Sequence, residues 1–191
     1  MPDLPDWIQT ARQQWRWQGQ ERRGQGQERP PFAVQPGPGQ TSVWDIPRPP
    51  RLAPDTREVV VGWGGVEVAR TRRALLVLET AHPPSVYIPW DDVRRELLQP
   101  AGSGSFCEWK GRARHWSLVE PGRSLPRVAW SYPRPLSGAE ALADCVAFYP
   151  AAPECRVDGA RVTPQHGSFD GGWITLELVG PFKGEPGSEG W

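Results

Sequence analysis

Hydrophobic residues in this chain fall into short runs broken by glycine and proline, a pattern of strands and turns rather than of long helices. Val59–Trp63 and residues 66–70 flank Gly64-Gly65, a pair that tolerates the positive φ of a tight hairpin. Residues 74–79 (ALLVLE) read as a short buried strand. His82-Pro83-Pro84 stops it, and Tyr87 and Ile88 resume the extended chain. A second hairpin is predicted from residues 114–119 and 125–132 around Pro121-Gly122, the order a type II turn prefers. Period-2 alternation then places Val128, Trp130 and Tyr132 on one face.

Helical signals are sparse. Pro89-Trp90-Asp91-Asp92-Val93 suits a single turn, proline first and acids near its positive end, with Val93 and Leu97 facing inward. Ser137 and Glu140 have capping-box spacing ahead of Ala141, Leu142 and Cys145, which predicts a short helix before a strand at 146–149. Trp7, Ile8, Ala11 and Trp15 allow an amphipathic turn or two at the start, marginal in isolation.

This pattern divides the chain into four parts. Residues 1–42 form a low-complexity arm, and within it 18–40 hold so little to bury that an extended, weakly ordered segment is expected. Residues 43–56 include VWDIPRPPRLAP, which its prolines push toward polyproline geometry, clamped on the surface through Trp44 and Ile46. Residues 57–157 are the β domain. Residues 158–191 are a Gly/Pro-rich arm whose Phe169, Trp173, Ile174, Phe182 and Trp191 are expected to pack on that domain.

Composition narrows the function classes. In 191 residues, 23 Pro, 21 Gly and 11 Trp argue for one turn-rich domain with extensions. Lys plus Arg equals Asp plus Glu at 22 each, so no overall field draws the protein to nucleic acid or an anionic membrane. Cys107, Cys145 and Cys155 are odd in number and lack C-x-x-C spacing, which indicates neither a disulfide framework nor a thiolate zinc site. With no apolar leader and no apolar run of about twenty residues, the expectation is a cytoplasmic protein.

Glu79 closes the run ALLVLE and is expensive to bury without a partner, for which Arg73 or Lys110 would serve. Lys110 stands between Trp109 and Gly111, where an ammonium beside an aromatic face can pair an anion. Cys107 is a nucleophile only if a neighbour lowers its pKa, with His82 or His115 as base. Asp91 and Asp92 diverge rather than chelate, and Gly64-Gly65 lacks the following helix of a phosphate loop. Aromatic side chains are the most abundant ligand surface, and a small domain cannot enclose all of them. The candidate pocket is therefore Glu79, Tyr87, Lys110, Trp116, Trp130 and Tyr149, with His82, Cys107 and His115 as weaker members and no metal or cofactor.

RALLVLETAHPPSVYIPWDDV, CEWKGRARHWSL, AWSYPRP and AFYP occur in this order over about residues 57–157. In them the chain resembles a bacterial family catalogued as domain of unknown function 427 and labelled nucleotidyltransferase-like. The resemblance implies a mainly β, β-tent-like fold: two antiparallel sheets meeting at an angle, with one or two short helices. The apical cysteine-bound zinc of related architectures is not carried over, because the paired cysteines are missing. Three readings follow. One is a small-molecule binding domain whose aromatic pocket stacks a planar or cationic ligand. Another is an enzyme on a nucleotide-like or phosphorylated substrate, with Lys110 or an arginine on the phosphate and Glu79 or a histidine moving protons. The third is an interaction module that meets a protein partner through its Trp-rich N-terminal arm.

Overall fold

The computed structural model describes residues 5–14, 29–167, 170–188 and 191. One helix, α1 (Asp6–Gln13), precedes β1 (Thr41–Ser42), β2 (Arg51–Asp55), β3 (Val59–Trp63), β4 (Val66–Thr71), β5 (Ala74–Leu78), β6 (Ser85–Pro89) and β7 (Leu98–Cys107). Then come β8 (Gly111–Glu120), β9 (Arg123–Ser131), β10 (Cys145–Phe148), β11 (Glu154–Val157), β12 (Ala160–Arg161), β13 (Thr163–Pro164), β14 (Trp173–Ile174) and β15 (Leu178–Val179). Two antiparallel sheets dominate: seven strands in the order β2-β5-β6-β10-β9-β8-β7, and four in the order β12-β11-β3-β4. The pairs β13-β14 and β1-β15 tie the later chain to the body. The fold is mainly β, and no helix among the described residues is long and apolar enough to cross a membrane.

Both predicted hairpins form. Gly64 and Gly65 take φ of 56° and 82° between β3 and β4, a pair of positive values that only glycine adopts without strain. Pro121-Gly122 turns β8 into β9, with Gly122 at φ 79°. Residues 90–92 make the expected single turn, and Val93 and Leu97 are both buried.

Three local expectations give way. The helix after Ser137 is only a 3-10 turn, Glu140–Leu142. Glu140 accepts the Gly138 N–H at 2.8 Å, but the reciprocal side-chain cap is absent, and β10 begins at Cys145 before a longer helix could wind. Val128 leaves the face of Trp130 and Tyr132 because Arg127 takes φ 50° beside a register shift at Trp116/Leu118, so the strand is kinked there. The proline-rich clamp is not polyproline throughout. Val43–Asp45 is a 3-10 turn, and Arg51–Asp55 is an edge strand on β5, a position where Pro54 is tolerated. Trp15, Phe169 and residues 18–28 of the segment expected to be weakly ordered lie outside the described residues.

Alternation along the strands builds two interiors. Val86 and Ile88 of β6, with Val146 and Phe148 of β10, join Val59, Val61 and Val68 of the four-stranded sheet in the larger cluster. The intervening Tyr87 and Ala147 turn to the opposite face and pack with Val77, Trp130, Tyr132 and Leu142. A third cluster gathers the termini: Val43, Trp44 and Ile46 with Ala81, Phe182 and Trp191. There Phe32 stacks on Trp191 at 5.0 Å, and Trp44 Nε1 donates to the Pro181 carbonyl at 3.0 Å.

Trp173 brings the C-terminal arm into the main core: it is 1% exposed and its Nε1 donates to the Phe148 carbonyl at 2.9 Å. Trp173→Ala should therefore lower stability in urea unfolding by about 3–5 kcal/mol. Trp173→Phe, which deletes the donor but keeps most of the volume, should cost about 1–3 kcal/mol.

Candidate functional site

The second face of the seven-stranded sheet carries a cavity of about 180 Å³. Its walls come from segments far apart in sequence. Tyr87 stands on β6 and Trp130 on β9, both turned to this face by the alternation described above. Ser105, Phe106 and Cys107 end β7, and Glu108 and Lys110 lie in the turn that leads to β8. Glu79 and His82 follow β5, Tyr149 follows β10, and Asp170, Gly171 and Lys183 of the C-terminal arm cover the opening. Gly171 packs flat on the Trp130 ring, where an added Cβ would fall 2.2 Å from a ring carbon.

Hydrogen bonds and ion pairs hold these walls. Trp130 Nε1 donates to Tyr87 Oη at 2.9 Å, and the Trp130 and Tyr149 rings lie 4.4 Å apart. Arg48, whose side chain is 2% exposed, reaches Glu79 Oε1 at 3.3 Å and donates to the Thr80 carbonyl at 2.9 Å. His82 Nδ1 lies 2.9 Å from that same carbonyl oxygen, and Nε2 is 3.7 Å from Asp170 Oδ2. The partner expected for Glu79 was Arg73 or Lys110. Arg48 takes that place, and Arg73 pairs instead with Asp92 at 2.7 Å.

Burial fixes most protonation states. It holds the Tyr87 phenol and the Cys107 thiol above their ordinary pKa values, with the Lys110 charge opposing in each case. Cys107 therefore stays a thiol, unsuited as it stands to nucleophilic attack. Burial works against the His82 imidazolium, yet Glu79, Asp170 and the Thr80 carbonyl outweigh it and raise the pKa. Burial likewise works against the Asp170 carboxylate, but His82, Lys110 and Lys183 bring its pKa down. For Lys110, burial works against the ammonium, while the surrounding acceptors, the Glu79 carboxylate among them, raise its pKa.

Seven of the nine sequence candidates line this one cavity: Glu79, Tyr87, Lys110, Trp130, Tyr149, His82 and Cys107. Trp116 and His115 do not. Trp116 packs edge-on to Trp90 at 5.2 Å, on the side of the larger core, and donates to Ser131 Oγ at 2.9 Å. His115 is 3% exposed and sits between Ser103 Oγ at 3.1 Å and Ser105 Oγ at 3.3 Å, one serine removed from the cavity. Sequence reasoning missed Arg48, Glu108, Asp170, Gly171 and Lys183. No spacing announces them, because the chain folds back over 80 residues or more to bring Asp170 to His82. A larger cavity, about 660 Å³, opens between β5, β6 and the terminal segments. Its Arg57 is paired with Asp55 at 2.7 Å and with Glu177, and its Asp45 with Arg29.

The molecule is thus a mainly β domain in which one face of the larger antiparallel sheet bears a partly open cavity with aromatic and charged walls. The chain belongs to the family described as Domain of unknown function (DUF427), short name NTP_transf_9, whose model matches residues 51–163, more than half of its length. The comparison with curated proteins gave no match. The matched stretch starts at the first residue of β2 and ends in β13, so both large sheets lie inside it. Asp170, Gly171, Trp173 and Lys183 lie beyond it.

Two predictions follow from the charges. Glu79→Gln removes the carboxylate from a nearly buried pair and should lower stability by about 3 kcal/mol in urea unfolding, because the buried Arg48 guanidinium loses its charge-assisted bond to Glu79. The His82–Asp170 pair has a pH window. The raised imidazole pKa keeps its contribution in full below the unfolded value of 6.5, and that contribution is lost as pH climbs through the folded value. The lowered carboxylate pKa keeps its part above 3.8 and loses it as pH falls through the folded value. The gap in melting temperature between wild type and His82→Gln should be widest between these limits and narrow above pH 6.5.

Proposed function

We propose that this protein is a small-molecule binding domain whose ligand occupies the cavity roofed by Gly171. One observation carries the reading. Tyr87, Trp130 and Tyr149, together with Glu79 and Lys110, come from separate segments and line one partly open cavity of about 180 Å³. Small-molecule sites have this make-up, apolar and aromatic walls with a few fixed polar groups.

Nucleotidyl transfer, the activity that the family's short name evokes, asks for carboxylates gathered on a metal ion. Here Glu79 and Asp170 are each committed to a cation of the protein, Arg48 and His82.

Thermal-shift measurements against nucleotides with and without Mg²⁺, divalent metals alone, and small heterocycles test the proposal. Metal-free heterocycles should stabilise the protein, by about 2.7 kcal/mol at a hundredfold excess over Kd. Tyr87→Phe, which leaves the Trp130 N–H without its acceptor, should weaken that binding at least tenfold. Stabilisation confined to nucleotide with Mg²⁺ would refute it.

A further inference from the structure

A further depression, of about 290 Å³, lies at the β7 edge of the seven-stranded sheet, and three arginines line it: Arg112, Arg114 and Arg134. Alternation along β8 gives Arg112, Arg114 and Trp116 a common face, and the Arg114 guanidinium lies over the Trp116 ring at 5.8 Å. Arg134 comes from the segment that follows β9. Gly104, the β7 partner of Arg114, has no side chain to close the space. No carboxylate lines the depression. The three arginines are exposed, and none takes part in a salt bridge among the described residues. Arg70, Arg73, Arg94, Arg95, Arg123 and Arg156 are exposed too, yet each of these pairs with a carboxylate. Like charges gathered at one depression repel one another, and an anion with several acceptor oxygens relieves that repulsion.

We infer that this depression binds the phosphoryl group of a small molecule, with the guanidinium groups of Arg112, Arg114 and Arg134 donating to its oxygens. The site lies on the face of the sheet opposite Tyr87 and Trp130 and does not depend on the reading of their cavity. A guanidinium is planar and presents paired N–H groups that match phosphate oxygens. A phosphoryl group offers three such oxygens and close to two negative charges, so it can engage more than one arginine at once. Along a strand, residues two positions apart are rooted about 7 Å from each other, near enough for both long side chains to meet on one phosphate. The basic patch is also short. Arg95, next to it across Trp116 and Trp90, is neutralised by Asp91, and over the whole chain Lys plus Arg equals Asp plus Glu at 22 each. A nucleic-acid backbone needs a longer basic track than this.

The test titrates the full chain calorimetrically at low salt, without metal, with inorganic phosphate and with glycerol 3-phosphate beside glycerol. Both phosphates should bind, and glycerol should not. Arg112→Gln, Arg114→Gln and Arg134→Gln should each weaken phosphate binding about tenfold, the worth of one charge-assisted contact. All three side chains are exposed, so the melting temperature of each variant should stay at the wild-type value. Two controls should bind phosphate as the wild type does. Arg161→Gln removes an exposed arginine outside the depression, and Lys110→Met removes the ammonium of the cavity on the other face. If glycerol 3-phosphate binds no better than glycerol, or if the three arginine variants bind phosphate unchanged, the inference falls while the cavity reading stands. If Lys110→Met alone loses phosphate binding, the phosphate belongs to the cavity and the inference falls. If a single-stranded oligonucleotide or a phosphoserine peptide binds and neither small phosphate does, a macromolecular partner replaces the small molecule.

Discussion

The seven-stranded sheet is covered on both faces, so the alternation of side chains along β6, β9 and β10 has to supply two interiors at once. Val86 and Ile88 fill the core against the four-stranded sheet, while Tyr87 between them supplies the cavity with a phenol. A one-residue slip in β6 would bury Tyr87 among aliphatic side chains and turn two valine-like residues into the cavity. The register of Val146 with Ile88 and of Ala147 with Tyr87 therefore fixes core and site together. The kink at Arg127 has the same importance on β9, because it sends Val128 to one interior and leaves Trp130 and Tyr132 in the other.

What could be read in the sequence was what local chemistry encodes. Gly64-Gly65 and Pro121-Gly122 announced their hairpins because each turn type demands particular φ values of particular residues. Tyr87, Trp130 and Tyr149 stood out because bulky rings in short strands exceed what a small core can absorb. Glu79 and Lys110 stood out because charges next to apolar runs need a partner. The identity of that partner was not legible. Arg48 sits among prolines, thirty-one positions from Glu79, and only the pairing of β2 with β5 brings it near. His115 and Trp116 show the same limit in reverse: both have the chemistry of a site residue, but β8 holds one between two serines and turns the other into the larger core.

The arms behave as structural parts of the molecule. Trp44, Phe32 and Trp191 close a knot of aromatic rings at one end, and Trp173 enters the main core. α1 meets the other end of the large sheet, where Trp7 packs on Phe106 at 4.9 Å and Arg12 lies over the Trp109 ring at 4.8 Å and donates to the Glu108 carbonyl. Phe106 and Glu108 also line the cavity, so the N-terminal helix braces one of its walls.

Gly171 lies flat on Trp130 in a stretch of chain that belongs to neither large sheet. Floor and roof of the cavity therefore answer to different demands. Tyr87 and Trp130 in the floor are also packing residues, and altering their size disturbs the sheet. Asp170 and Lys183 in the roof stand outside both sheets, so a change there alters the pairing with His82 and the bond to Ser188 but not the strand register beneath. Under the reading proposed above, a change of guest would begin at these two positions, while Trp173 in the same segment stays bound to the core.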